Sequence, residues 1–245
     1  MIKKLILFTL LSLCVALQAS AWNPMITTSG GGISTPTFVV QATGSTNWGT
    51  TCTASLTLVA GSNRIIIAGG TSENETVDSA TFGGTAQTGE VGTGVTQDTF
   101  HGGMFYYVVA AESGAIAVVI TQSGASASAC WAIQVDGVNT SDVVEDFDTD
   151  TGDAADTDVE MTVTPVNNNN LLVSMVGVQL DSRSFVVCNS TGQTLLAEKI
   201  EGGSQTIGGG YFDLSTAAAK NQCFDVESGL DDVIGITVAI NPAGS

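Results

Sequence analysis

Short apolar runs rich in valine, isoleucine and threonine alternate along the chain with clusters of glycine, serine, threonine, asparagine and aspartate. The interval is roughly 8 to 12 residues, the spacing of strands in an antiparallel sandwich. Candidate strands lie at residues 37–41, 52–60, 64–68, 78–82, 104–110, 115–121, 129–135, 159–164, 171–178, 185–187, 194–198, 210–214 and 233–240. In 115–121 and 171–178 the apolar run is almost unbroken, which predicts central strands covered on both faces or packed tightly against the other sheet. Gly61-Ser62-Asn63, Gly83-Gly84 and residues 167–170, all asparagine, supply types that tolerate positive φ, so each reads as a connection between strands. No segment sustains an apolar face at a 3.6-residue period, and only 215–220 could form a single helical turn. The absence of an internal repeat argues against a solenoid or propeller. The predicted fold is all-β: an antiparallel two-sheet β-sandwich.

The first 21 residues break this pattern. Lys3 and Lys4 precede an uncharged apolar stretch from Leu5 to Leu17, followed by Ala19-Ser20-Ala21, the small-x-small pattern of a cleavable leader. A helical signal peptide over residues 1–21 is expected, with cleavage before Trp22. The stretch is shorter than the ~20 residues a spanning helix needs. Cys14 follows Leu13, where a lipoprotein leader wants a small residue. Residues 22–44 then read as an N-terminal arm with a first strand at its end, and 45–245 as the sandwich domain.

Removing the leader leaves four basic residues against 24 acidic ones, a formal charge of −20. Nucleic acid and anionic membrane surfaces both reward clustered lysine and arginine, so neither is an expected partner, and no stable membrane insertion is expected after cleavage. Four cysteines remain, Cys52, Cys130, Cys188 and Cys223. An even number in an exported chain predicts one or two disulfides, with three connectivities open for four cysteines. No CxxC pair exists and His101 is the single histidine, which disfavours a zinc cage.

Several motifs have a familiar order. They are Gly61-Ser-Asn-Arg-Ile-Ile-Ile-Ala68, Val77-Asp-Ser-Ala-Thr-Phe-Gly-Gly-Thr-Ala-Gln-Thr88, Phe105-Tyr-Tyr-Val-Val, Ser113-Gly-Ala-Ile-Ala-Val-Val-Ile-Thr121, Ala132-Ile-Gln-Val-Asp-Gly-Val138, Asn170-Leu-Leu-Val-Ser174, Gly192-Gln-Thr194 and Ile236-Thr-Val-Ala-Ile-Asn-Pro242. Together they resemble a widespread, uncharacterised β-sandwich domain of bacterial exported and surface proteins and phage structural proteins, over about residues 45 to 243. The resemblance implies a jelly-roll-like sandwich and a role in display on a cell surface, a virion or a secreted fibre. It carries no active-site residue. The cysteines and the acidic segment near residue 150 depart from it.

The densest cluster of chemistry is Glu145-Asp-Phe-Asp-Thr-Asp-Thr-Gly-Asp153. Calcium takes six to eight oxygens, and Asp146, Asp148 and Asp150 alternate as they do in a calcium loop, with Asp153 after the glycine as a further candidate ligand. Thr151 and Thr157 stand where the EF-hand wants glycine and glutamate. The competing reading is a solvated, self-repelling loop. Calcium is accordingly the one cofactor to test.

Catalysis has little support. His101 sits in Phe-His-Gly-Gly, a turn-like context without a nucleophile elbow, and a carboxylate pair drawn from 24 candidates is unspecific. Trp48, Tyr106 and Tyr211 are candidate platforms for a ligand, a sugar above all, whereas Trp131 beside Cys130 reads as core. The arm containing Phe38-Val-Val40 could add itself to a neighbour's sheet edge, or pair within its own domain. Asn74, Asn139 and Asn189 head sequons that matter only in a host that glycosylates asparagine. The expected protein is secreted or exposed at the cell surface, with a structural, adhesive or display role and no catalytic activity. Its partners would be a surface glycan or protein, or a second copy through the arm. A carbohydrate-binding module and a strand-complemented fibre or virion subunit are the alternatives, with a hydrolase behind them.

Overall fold

The computed structural model describes residues 35–152, 158–179, 185–188, 192–196, 199–201, 205–226 and 232–245. The expected signal peptide and residues 22–34 of the arm lie outside the described residues. Within them the chain is all-β, with no helix. The strands in order are β1 (Thr37–Leu58), β2 (Arg64–Glu73), β3 (Val77–Phe82), β4 (Thr85–Ala86), β5 (Gly89–Gln97), β6 (Phe100–Val109), β7 (Gly114–Asp136) and β8 (Val144–Gly152). They continue with β9 (Asp158–Val163), β10 (Leu171–Val178), β11 (Phe185–Val187), β12 (Thr194–Leu195), β13 (Lys199–Glu201), β14 (Gln205–Asp213), β15 (Lys220–Val226) and β16 (Val233–Ile240).

Hydrogen bonding groups these strands into three sheets where the sequence suggests two. The first has the order β4-β3-β7-β2-β6-β5 with β1 along β7, the second β12-β14-β10-β16-β8 with β13 on β14, and the third β11-β15-β9. The strand pairings are antiparallel.

The longest pairing shapes the molecule. β1 follows β7 from Thr37↔Asp136 to Leu58↔Gly114, with register shifts at Phe38/Val40 and on both sides of Gly49. On its other edge β7 takes β3 against residues 118–122 and β2 against residues 128–135. The ribbon folds back on itself at the bulges around Gly49. A Cβ on Gly44 would lie 1.9 Å from the carbonyl oxygen of Thr53, so only glycine permits the two halves of β1 to approach this closely. The Cys52–Cys130 disulfide joins the same two halves, Cys130 being the partner of Gly44 across the ladder.

One sheet thereby supplies two layers, and the period-two alternation of its strands fills the space on either side. Ile66, Ala68, Phe105 and Cys130 enter the core enclosed by the fold, with Leu56, Phe82, Val118 and Ile120 from the outer half. Ile65, Ile67, Met104, Trp131 and Ile133 point the opposite way, into a core shared with Val173, Met175, Ile236 and Val238 of the second sheet. The far face of the second sheet packs Val176, Val178 and Val233 on Met161, Phe185 and Phe224 of the third. Between them Ser174 and Thr237, opposite one another on β10 and β16, share a 2.6 Å hydroxyl hydrogen bond. The described chain is built from three antiparallel sheets packed on one another, the first of them curled upon itself.

This stacking explains which expectations held. All eight residues of β10 and all eight of β16 are buried, because the second sheet is covered on both faces. Residues 115–121, expected to be central, alternate instead: Val118 and Ile120 are buried while Ala115 and Ala117 are exposed, since this half of β7 belongs to the outermost layer. Trp131 is core. Asn63 and Asn169 take φ of 51° and 64°, and Gly83 and Gly84 58° and 85°, as their turns require.

Other readings are corrected. Segments 37–41 and 52–60 are halves of β1, and 115–121 and 129–135 halves of β7, because the polar bulge residues between them continue the ladder. β5 is glycine-rich, β8 acidic and the start of β15 polar, compositions that argue against strands, yet each pairs along a neighbouring strand; tertiary context overrides weak intrinsic preference here. Residues 215–220 form no helical turn, and Lys220 opens β15. His101 lies on β6, paired with Ser72, and not in a turn.

At one margin of the first sheet, fully buried Gln134 accepts a hydrogen bond from the Val59 N–H at 2.9 Å and donates to the Val59 carbonyl at 3.0 Å and to Asp136 Oδ1 at 2.7 Å. Burial raises the Asp136 pKa above the usual aspartate value, and the Gln134 bond and the Arg64 charge offset part of that rise. The folded state therefore releases this proton later than the unfolded chain does. Stability from this group is greatest below the unfolded value and falls as pH rises through the folded one. Asp136→Asn should raise the melting temperature at pH 7 and leave it unchanged at pH 3, as followed by circular dichroism. The disulfides close loops of sequence separation 78 and 35. In urea unfolding, replacing Cys52 and Cys130 by alanine should cost about 4 kcal/mol, somewhat more than replacing Cys188 and Cys223.

Candidate functional site

The acidic segment is strand β8, and its two faces do different things. Read as a loop, its alternating carboxylates would turn toward one centre. On a strand, side chains two residues apart share a face but stand roughly 7 Å from each other, so Asp146, Asp148 and Asp150 form a row and do not converge. Pairing with β16, from Gly152↔Val233 to Val144↔Ile240, holds the segment extended.

Each carboxylate of the row bridges two backbones. Oδ1 of Asp146, Asp148 and Asp150 accepts the N–H of the following residue, Phe147, Thr149 and Thr151, at 2.9 to 3.0 Å. Oδ2 of the same residues accepts the N–H of Thr164, Thr162 and Glu160, on or just after β9, at 2.6 to 2.7 Å. Glu145 extends the row: its Oε1 accepts the N–H of Val166 and Asn167, and its Oε2 the Asn170 side-chain amide at 2.5 Å. β8 is an edge of the second sheet and β9 an edge of the third. One run of carboxylates thus satisfies the outward donors of two stacked sheet edges, the groups that would otherwise recruit another strand. Asp153, grouped with these residues in the sequence, lies outside the described residues.

The opposite face of β8 carries Phe147 and Thr149, which meet β5, the edge of the first sheet, across an open groove of about 440 Å³. Glu90, Val91, Gly92, Thr93, Gly94 and Val95 form the other wall. β5 is bulged twice, between Glu90 and Gly92 and between Gly92 and Val95. A Cβ on Gly92 would stand 3.1 Å from Ile236 and 3.4 Å from Thr149, so the bare backbone sets how closely β5 approaches the second sheet. Gln87 Nε2 and Thr93 Oγ1 donate to the two oxygens of Glu90 at 3.1 and 3.2 Å, fixing that carboxylate at the groove wall. Phe147 is 51% exposed.

The aromatic residues singled out by sequence have separate settings. Trp48, 75% exposed, stands on the bulge of β1. Tyr211 stacks on Phe38 with ring centroids 5.4 Å apart. Tyr106 is half-buried against the central core and lies over Gly89. Phe147 is inconspicuous in the sequence because a segment so acidic reads as loop; the period-two alternation Asp-Phe-Asp-Thr-Asp-Thr is the signal that marks it as strand. Residues 37–41 pair with β7 of the same chain. All four cysteines are paired, Cys52–Cys130 and Cys188–Cys223. Among the described residues, Asp158, Cys188 and Cys223 are the one group of three ligand types whose atoms lie within 4.8 Å, and both sulfurs are in the disulfide. His101 Nδ1 lies 3.1 Å from Thr96 Oγ1.

Compared with known protein families, curated proteins and solved structures, the chain matches none.

An asparagine in the row keeps one acceptor and turns an amide donor toward an N–H. Asp148→Asn should therefore lower stability by about 1 to 2 kcal/mol in urea unfolding. The Asp146, Asp148, Asp150 triple asparagine variant should self-associate in light scattering where the parent does not, its two edges being unsealed. Millimolar calcium should leave the parent's melting temperature unchanged, since the carboxylates of the row stand apart along an extended strand and do not converge on one centre.

Proposed function

We propose that this is a secreted or surface-displayed protein with a structural, adhesive or display role, acting through its surface and not by turning over a substrate. The observation that carries this reading is the margin where β5 and β8 run side by side. It is open and bears an exposed aromatic ring, while the strand edges around it are bulged or capped against further pairing. A margin of that kind offers a binding face without inviting polymerisation.

Two further features support the reading. Two disulfides suit an oxidising compartment outside the cytosol. A basic tip, a short apolar run and Ala19-Ser20-Ala21 suit export by a cleaved leader. On this view the two layers around the Ile65, Trp131 and Met175 core correspond to the jelly-roll-like sandwich implied by the family resemblance, with the outer layers added to it.

Expression of the full chain in a bacterial host should yield a product outside the cytoplasm that begins at Trp22 by N-terminal sequencing. Unfolded without reductant, it should show no reactive thiol. A cytosolic product with an intact N-terminus would overturn the proposal.

A further inference from the structure

We propose that the groove between β5 and β8 is a binding site for a neutral polysaccharide, with one sugar ring lying on Phe147. The inference rests on the surface-binding reading above and gives it a ligand class.

Phe147 is the starting point. Its neighbours on the same face of β8, Thr149 and Thr151, are the hydroxyl residues usual on a partly solvated strand. Phe147 instead places a flat apolar ring, half exposed, at the wall of an open groove. A pyranose offers the matching partner: an apolar face of C–H groups ringed by hydroxyls. The groove supplies both halves of that recognition. Beside the ring stand the Thr93 and Thr149 hydroxyls and the backbone of Gly92 and Gly94, the latter at φ 70° with open space around it. Glu90 faces them, its carboxylate held by Gln87 and Thr93, and a carboxylate bonded once at each oxygen retains lone pairs for sugar hydroxyls.

Other occupants fit less well. An added peptide strand needs a regular row of outward donors and acceptors, but β5 is interrupted by two bulges, and the N–H groups of Phe147, Thr149 and Thr151 on β8 are already bonded to aspartates. An anionic ligand would meet Glu90 in the groove, the aspartate row one residue away on β8, and a strongly acidic chain. A purely apolar ligand would leave the hydroxyls, the carboxylate and the glycine backbone without partners. An uncharged polyhydroxylated ligand satisfies all of these groups, and the open form of the groove admits an internal stretch of a polymer.

The test is affinity electrophoresis of the mature protein in native gels containing hydroxyethylcellulose, laminarin, mannan or glycol chitin, with polygalacturonate as the anionic control. At least one neutral polymer should retard the parent, and polygalacturonate should not. Phe147→Ala should weaken that retardation by roughly tenfold, Glu90→Gln should weaken it several-fold, and Trp48→Ala should leave it unchanged. All three variants should melt with the parent, since none of the side chains is in the core. Lack of retardation by every neutral polymer, equal retardation of Phe147→Ala, or a preference for polygalacturonate would each overturn the proposal. Export and leader cleavage are measured separately, so a groove that binds no sugar in a correctly exported protein would leave the broader reading standing.

Discussion

A two-stranded ribbon more than 20 residues long cannot bury one face of both its halves against a single flat layer; it must bend or leave apolar residues in water. The β1/β7 pair resolves this by folding over at the bulges around Gly49, and the remaining architecture follows. The fold-over gives β7 a free edge in two layers at once, so that β3 can join one half and β2 the other. It encloses a core made wholly from the first sheet, and it leaves the outward face of the β2 half apolar. That face then requires the second sheet, whose own far face requires the third. Gly44 and the Cys52–Cys130 disulfide both lie where the halves approach, one permitting contact and the other fixing it.

Stacking layers solves the problem of faces and aggravates the problem of edges. Each open sheet ends in strands with unpaired backbone groups, and a stack places several such edges in register on one side of the molecule. The chain answers with chemistry at β8. Aspartate is a poor strand former because its short carboxylate competes for nearby backbone N–H groups. On an edge strand that competition becomes useful, since the outward N–H has no ladder partner to lose. The second oxygen then reaches the next sheet, so a residue unfavourable inside a sheet serves at its rim as the link between two sheets. The acidity that looked like a solvation feature is in part a pattern of backbone caps.

What the sequence revealed, and what it hid, follows from this division. Strands whose side chains decide their burial were legible: β10, β11 and β16 lie where their valine and isoleucine runs place them, and the turns at Asn63, Gly83-Gly84 and Asn169 take the conformations that their residue types favour. The number of sheets was not legible, because it depends on where a continuous ribbon bends, and bulges carry only a weak local signal. β5 and β8 were hidden for a different reason. Their residues are chosen for what an edge must do, admitting bulges or capping donors, and those choices resemble loop composition. The platform residue was lost with its strand: Trp48, Tyr106 and Tyr211 were visible as aromatics, whereas Phe147 becomes conspicuous only when β8 is recognised as extended.

The two roles of β8 constrain one another. Because successive side chains of a strand point to opposite sides, a row of aspartates at 146, 148 and 150 dictates that 147, 149 and 151 face away from the third sheet. A one-residue slip would turn the carboxylates toward the groove and the first sheet, and bury Phe147 against β9, losing the caps and the exposed ring together. Register along β16 is thus held by the need to satisfy the β9 donors as well as by the β8/β16 ladder. The exposed ring sits on a backbone fixed from both sides, by β16 through main-chain bonds and by β9 through carboxylates. A binding face on such a strand is preorganised, and it loses little conformational entropy when a ligand settles on it.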